Sequence, residues 1–309
     1  MPDDLAVLIR HARLRHKPEQ LCDIGISSGR IDLIRDGITQ RARTEIDAHG
    51  NLVTESFVNA HLHLDKVYTR KMLDEEALQD YHGELMGKAM TAIESAARVK
   101  EKYDQAWIIE NVRTAIAAAI RYGNTHLRAF ADIDSKARLE AVKALIQARE
   151  EFKGRVHIQV VAFPQDGVVR EPSAADLVRQ AMELGADVVG GIPWIEYTDS
   201  DARRHIDEMF AIAQEYDKDI SMLVDDAGVA GLRTLEMLAT KTLEAGWQDR
   251  VLAHHARAMT LYPKPYLQKV VGLLQAAKVG IVTDPHTGPL HARVKELLSA
   301  TQYRTPSHE

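Results

Sequence analysis

Phe57-Val58-Asn59-Ala60-His61-Leu62-His63-Leu64-Asp65-Lys66 is the stretch on which the reading of this chain turns. An apolar opening that passes into alternation is the pattern of a β-strand, in which successive side chains face opposite ways. His61 and His63 therefore share a face and present two imidazoles to one point at the strand's C-terminal end. In a chain with 14 histidines such a pair arises easily by chance. Its flanks decide what it means.

N-terminal to it, the apolar runs Leu5-Ala6-Val7-Leu8-Ile9 and Asp23-Ile24-Gly25-Ile26 are separated by turn-forming Ser27-Ser28-Gly29 and His49-Gly50-Asn51, so residues 1–56 read as a β-rich segment, a partial β-sandwich. C-terminal to it, strand-like runs at 57–60, 125–130, 156–162, 187–190, 220–224, 250–253 and 280–283 alternate with amphipathic stretches. One of these stretches, 202–216, sets Ile206, Met209, Phe210 and Ala213 at helical spacing. Such alternation predicts βα units around a parallel sheet. The expectation for 57–309 is an α/β fold, a (β/α)8-type TIM barrel that is incomplete at about seven strands, because 292–300 reads as a helix and 301–309 shows no strand pattern. Seven strands leave two sheet edges, from which a homo-oligomer is expected.

Composition narrows the partner. Of 309 residues 45% are hydrophobic and 27% charged, with a formal net charge of -6, which gives no basic footprint for nucleic acid. No apolar run is long enough to span a membrane, and Met1-Pro2-Asp3-Asp4 lacks a signal-peptide pattern. The only cysteine, Cys22, excludes an intrachain disulfide and a thiolate-cluster metal site, and reads as an inert buried residue. A cytoplasmic protein acting on a small molecule is expected. No phosphate-binding glycine loop, zinc-protease helix motif or G-x-S-x-G elbow is found.

Longer segments carry a resemblance. Phe57 to Lys66 is similar to an F-V-x-x-H-x-H-L-D-K run, Gly123-Asn124-Thr125-His126-Leu127-Arg128 with Asp132-Ile133-Asp134 to G-V-T-H-V-R…D-V-D, and Ile158-Gln159-Val160-Val161-Ala162-Phe163-Pro164-Gln165-Asp166-Gly167 to I-Q-V-V-A-F-P-Q-x-G. On these, over roughly residues 5–298, the chain resembles the branch of the metal-dependent amidohydrolase superfamily that holds cytosine deaminase and N-isopropylammelide isopropylaminohydrolase relatives. The resemblance implies a divalent metal (Zn, Fe or Mn) and hydrolysis of a C–N bond of a small nitrogen heterocycle.

Carried over residue by residue, His61 and His63 match the first two metal ligands, Gln159 a substrate-binding amide, and His255 the strand-six histidine of S-H-x-x-A-M. Leu223 stands where the third ligand is expected and Asp226 where a proton-shuttling carboxylate is expected. The strand-eight aspartate has no counterpart in residues 1–309. Asp284 and His286, which follow the seventh strand, and Asp225, on the same strand face as Leu223, are candidate replacement ligands, against the simpler reading of Asp284 as a turn cap. His126 and Arg128 are expected as hydrogen-bonded residues inside the barrel.

The implied scheme has water, activated by the metal on His61 and His63, attack an amidine or amide carbon. Gln159 orients the ring amide, Asp226 passes a proton to the ring nitrogen and His255 stabilises charge developing on the oxygen, so that ammonia or an amine leaves. The alternative is a catalytically impaired or non-catalytic binding protein on the same scaffold, motivated by Leu223 and the missing strand.

Overall fold

Residues 5–69, 99–283, 293, 294 and 296 are described by the structure, a computed structural model. The chain divides into two compact units, Met1–Phe57 and Val58–Glu309.

The first unit is a five-stranded sheet of β1 (Leu5–Leu14), β2 (Lys17–Ser27), β3 (Arg30–Arg35), β4 (Ala42–Asp47) and β5 (Leu52–Val53), in the order β3-β2-β1-β4 with β5 also on β1. Ser28 and Gly29 link β2 to β3 with φ of 51° and 75°, the positive pair that a tight hairpin of the right twist requires. Leu5, Leu8 and Ile38 form its small core. Asp23 is buried there and accepts from Arg10, the His11 amide and the Ile38 amide, so its charge is fully partnered. Cys22 departs from expectation: it is half-exposed, with Sγ 3.6 Å from the Ala12 carbonyl, because this thin sheet has little interior to offer.

In the second unit β6 (Phe57–Leu62), β7 (Asn124–Asp132), β8 (His157–Phe163), β9 (Val188–Gly191), β10 (Asp219–Val224), β11 (Val251–His255) and β12 (Gly280–Val282) fall on the seven expected runs. They form one sheet in sequence order from β6 to β12, and the pairs from β7 to β12 are parallel. Between the strands lie α1 (Gln105–Arg121), α2 (Glu140–Glu151), α3 (Ala174–Glu183), α4 (Asp199–Glu215), α5 (Thr234–Glu244) and α6 (Lys264–Ala277). Caps mark their starts: Asp104 accepts from the Ala106 amide before α1, and Thr198 from the Asp201 amide before α4.

Strand alternation sorts the core into two. Leu127, Ala129 and Ala131 of β7 face outward and pack with Ile108, Val112 and Ile116 of α1 and with Val142 and Leu145 of α2. Phe130 faces the other way, into an interior shared with Val161, Phe163, Val188 and Leu223. Gly190 lets β9 run close to β8, since a Cβ there would sit 2.6 Å from the Ala162 carbonyl oxygen.

The sheet is curled into a nearly closed barrel. His61 on β6 touches His254 on β11, and Arg128 on β7 reaches Ser221 on β10, contacts that a flat sheet would hold several strand spacings apart. Among the described residues no strand joins β12 to β6, so a seam remains between them. The helix expected at 292–300 lies, apart from residues 293, 294 and 296, outside the described residues. Among the described residues no helix is long and apolar enough to cross a membrane.

Candidate metal centre

His61 and His63 project from the C-terminal end of β6, as alternation requires, with ring centroids 5.1 Å apart. Two further imidazoles meet His61 from β11, His254 at 4.8 Å and His255 at 4.6 Å between centroids. Adjacent strand residues normally point to opposite faces. Here His255 and Ala256 adopt φ of 68° and 49°, a left-handed turn that costs about 1–2 kcal/mol per residue and swings the His255 ring back toward His61. Phe130 lies against His61, His63 and His254, and Phe163 against His63, so the imidazoles rest on an apolar floor. Burial, reinforced by neighbouring cations and imidazoles, pushes the His63 and His254 rings well below the usual histidine range and holds them in the neutral form that ligates metals.

Below the imidazoles runs a chain of polar side chains. Gln159 Oε1 accepts from Arg128 Nε at 3.0 Å and Nη2 at 2.8 Å, as the register pairing Arg128 with Gln159 allows. Arg128 Nη1 stands 3.5 Å from Ser221 Oγ, Ser221 Oγ is 2.6 Å from His254 Nε2, and His254 Nδ1 is 2.9 Å from His61 Nδ1. Burial pushes the Arg128 guanidinium down, with Asp219 pulling the other way. Gln159, expected as a substrate amide, thus spends its carbonyl on Arg128 inside the barrel.

On the opposite side of His63 lies a cluster of carboxylates and lysines. Asp65, fully buried, accepts from the Tyr103 hydroxyl and the Asp132 amide, and burial beside Asp132 pushes its carboxyl up to about 7. Asp132 pairs with Lys66 at 2.9 Å and Lys100 at 3.3 Å, and Lys100 also binds Asp134 at 2.7 Å and Asp166 at 2.8 Å. Burial alone would lower the Lys100 ammonium; Asp132, Asp134 and Asp166 outweigh it and hold it well above the ordinary lysine range.

The residues present fit a divalent cation. Donor atoms from His63, Asp65 and Asp132 lie within 4.8 Å of one another, and His63 Nδ1 and Asp65 Oδ1 are buried with no hydrogen-bond partner. Imidazole and carboxylate donors suit Zn, Mn or Fe.

Several expected residues find other employment. Asp225 is buried, and its carboxylate accepts from the Thr234 amide and hydroxyl, the Leu235 amide and the Tyr262 hydroxyl. It caps α5, and both of its oxygens are engaged in these hydrogen bonds. His126 keeps the interior parity of Arg128 but sits at the start of β7, where it is exposed beside His157. Asp226 pairs with Arg257 at 2.8 Å and stands 3.8 Å from His255 Nε2. Asp284 and His286 lie outside the described residues.

Sequence patterns assign no role to His254, Ser221 or Lys100, and mark Asp132 only as part of the D-V-D match. The signals existed: His254 stands where the S-H-x-x-A-M pattern has serine, and it occupies the interior parity of β11. Lys100, in a segment with no strand pattern, carried none.

The model of the family described as "Amidohydrolase family" matches residues 44–302. N-isopropylammelide isopropyl amidohydrolase of Pseudomonas sp. (strain ADP) is 32% identical over 300 residues, covering 97% of this chain and 73% of that protein. The solved 5-methylcytosine deaminase from Klebsiella pneumoniae, liganded with 5-fluorocytosine, superposes with a TM-score of 0.79 at 27% identity, covering 90% of this chain and 66% of that one. N-isopropylammelide isopropylaminohydrolase from Burkholderia multivorans shares the fold, with a TM-score of 0.73 at 23% identity, over 90% of this chain and 67% of that one. The chain thus spans about two thirds of the length of these solved structures. By the extent of the family match and its likeness to the Pseudomonas protein, the chain belongs to the amidohydrolase family.

Proposed function

We propose that this chain is a metal-dependent hydrolase acting on a C–N bond of a small nitrogen heterocycle, as a deaminase or an amidohydrolase. The observation that carries the reading is the convergence of His61, His63 and His255 at the C-terminal end of the barrel strands, where His255 also faces Asp226. The names of its relatives, an N-isopropylammelide amidohydrolase and a 5-methylcytosine deaminase, support the substrate class. A divalent cation held at His61 and His63 would supply an activated water and polarise the carbon under attack.

The chain's own groups do the rest. The His255 imidazole stabilises negative charge developing on the attacking oxygen. Asp226, half-buried and oriented by Arg257, takes a proton from the attacking water and passes it to the ring nitrogen, and the second proton of that water goes to the exocyclic amine as it departs. The amide nitrogen of Gln159, whose carbonyl is held by Arg128, orients the ring.

Zinc-, manganese- and iron-loaded protein should release ammonia or an amine from members of a pyrimidine, triazine and hydantoin panel, and Asp226→Asn should abolish that release with the metal content unchanged. Absence of release from every ring, with metal bound, sinks the reading. A second reading, a binding protein without turnover, is favoured by Leu223, which fills the interior beside Phe130 and Phe163 with hydrocarbon. Ring binding without turnover, measured by calorimetry, would establish it.

A further inference from the structure

The metal-dependent reading leaves a gap at the family's third-ligand position on β10, which is Leu223. The neighbouring strand answers it. In the β10–β11 register Leu223 lies directly opposite His254, and both belong to the barrel interior. His254 and Ser221 are fully buried. His254 turns Nδ1 to within 2.9 Å of His61 Nδ1, while its other nitrogen is fixed by Ser221 Oγ at 2.6 Å.

This is the arrangement of a ligating histidine: one ring nitrogen faces a metal-binding residue and the other is tied to a neighbour that sets tautomer and ring orientation. Imidazole nitrogens around a tetrahedral ion at about 2.0–2.1 Å stand roughly 3.3–3.4 Å apart, so the pair as found lies within about half an ångström of a ligating pair. The carboxylate side of His63 is the weaker competitor. Asp132 is already neutralised by the ammonium groups of Lys66 and Lys100, and a cation there must displace or repel them.

We propose that His254 replaces the ligand lost at Leu223, so that a divalent cation is held by His61, His63 and His254. The inference rests on the metal-dependent reading above and adds to it the identity of the third protein ligand. Ser221 is the positioning residue that orients His254.

The test uses the full chain, freed of metal by chelation and titrated with Zn2+ and with Co2+ against a competing chelator. His254→Ala should weaken Zn2+ binding by about a hundredfold or more and Ser221→Ala by roughly ten- to a hundredfold, whereas Asp176→Asn, at an exposed carboxylate of α3, should leave it unchanged. His254→Cys guards against a variant that merely folds poorly: if position 254 ligates, its Co2+ complex gains a thiolate-to-cobalt charge-transfer band absent from the parent. Full-affinity binding by His254→Ala together with loss in His61→Ala and His63→Ala overturns the inference and leaves the metal-dependent reading intact. Loss in Asp132→Asn with no band in His254→Cys moves the ion to the carboxylate side and also overturns it. A parent chain that binds neither ion overturns both.

Discussion

Leu223 and His254 face each other across β10 and β11, an apolar side chain where a ligand is expected and an imidazole where none is. Side chains from neighbouring strands at the same level of a barrel converge on the same space, so a ligand can move from one strand to the next without moving the ion far. Leu223→Ηis should therefore add a fourth imidazole to the set and raise Zn2+ affinity by roughly tenfold or more. Without metal the same change buries a polar ring among Phe130, Val161 and Phe163 and should cost about 1–3 kcal/mol. Urea unfolding with and without Zn2+ measures both effects; a variant equally stable in both conditions and no tighter for Zn2+ contradicts the geometry.

Lys100 holds three carboxylates together from a position with no solvent exposure. Lys100→Met keeps most of the volume but leaves Asp132, Asp134 and Asp166 without their common counter-charge. The expected loss is about 3–5 kcal/mol, the range for breaking a buried ion pair. Adding Asp134→Asn should recover part of it, and a double-mutant cycle by chemical denaturation tests the coupling.

Asp225→Ala separates a cap from a ligand. It removes the acceptor for two α5 amides, the Thr234 hydroxyl and the Tyr262 hydroxyl, and should destabilise the chain by about 2–4 kcal/mol. Zinc stoichiometry of the folded fraction should stay at the parent value. A fall in stoichiometry would return Asp225 to the ligand set.

His205 supplies a pH dependence remote from the imidazole cluster. It is fully buried, with Nδ1 2.7 Å from Glu196 Oε1 and Nε2 accepting from the Ile192 amide at 3.1 Å, an arrangement that needs the neutral ring. Burial lowers its pKa, with Glu196 opposing. Because the folded-state pKa lies below the unfolded one, the unfolded chain takes up this proton first. The stability His205 contributes is full above about pH 6.5 and is lost as pH falls toward the folded pKa, with a slope of at most about 1.4 kcal/mol per pH unit for one proton. His205→Gln should be less stable at pH 8 and show a shallower decline between pH 7 and 5 in urea titrations. Parallel slopes for parent and variant would show that His205 does not contribute to the pH dependence of stability.

Much of this architecture was legible in sequence, because strand and helix periodicities are local. Alternation put His61 and His63 on one face, and the seven apolar runs became the seven strands. The same logic failed where backbone departs from its regular path. His255 joins the imidazoles only through a left-handed turn, and Asp225, placed inward by parity, turns at φ 49° into a helix cap.

The sequence by itself determined the family, the barrel and the pair of histidines on β6, since each depends on residues close together in the chain. Tertiary structure alone decided which distant groups meet them. His61 and His254 stand 193 positions apart, and Lys100 reaches Asp166 across 66, because closing a curled sheet converts strand order into spatial neighbours that no local pattern encodes. β6 thus supplies two imidazoles, and the curvature of the sheet supplies their partners.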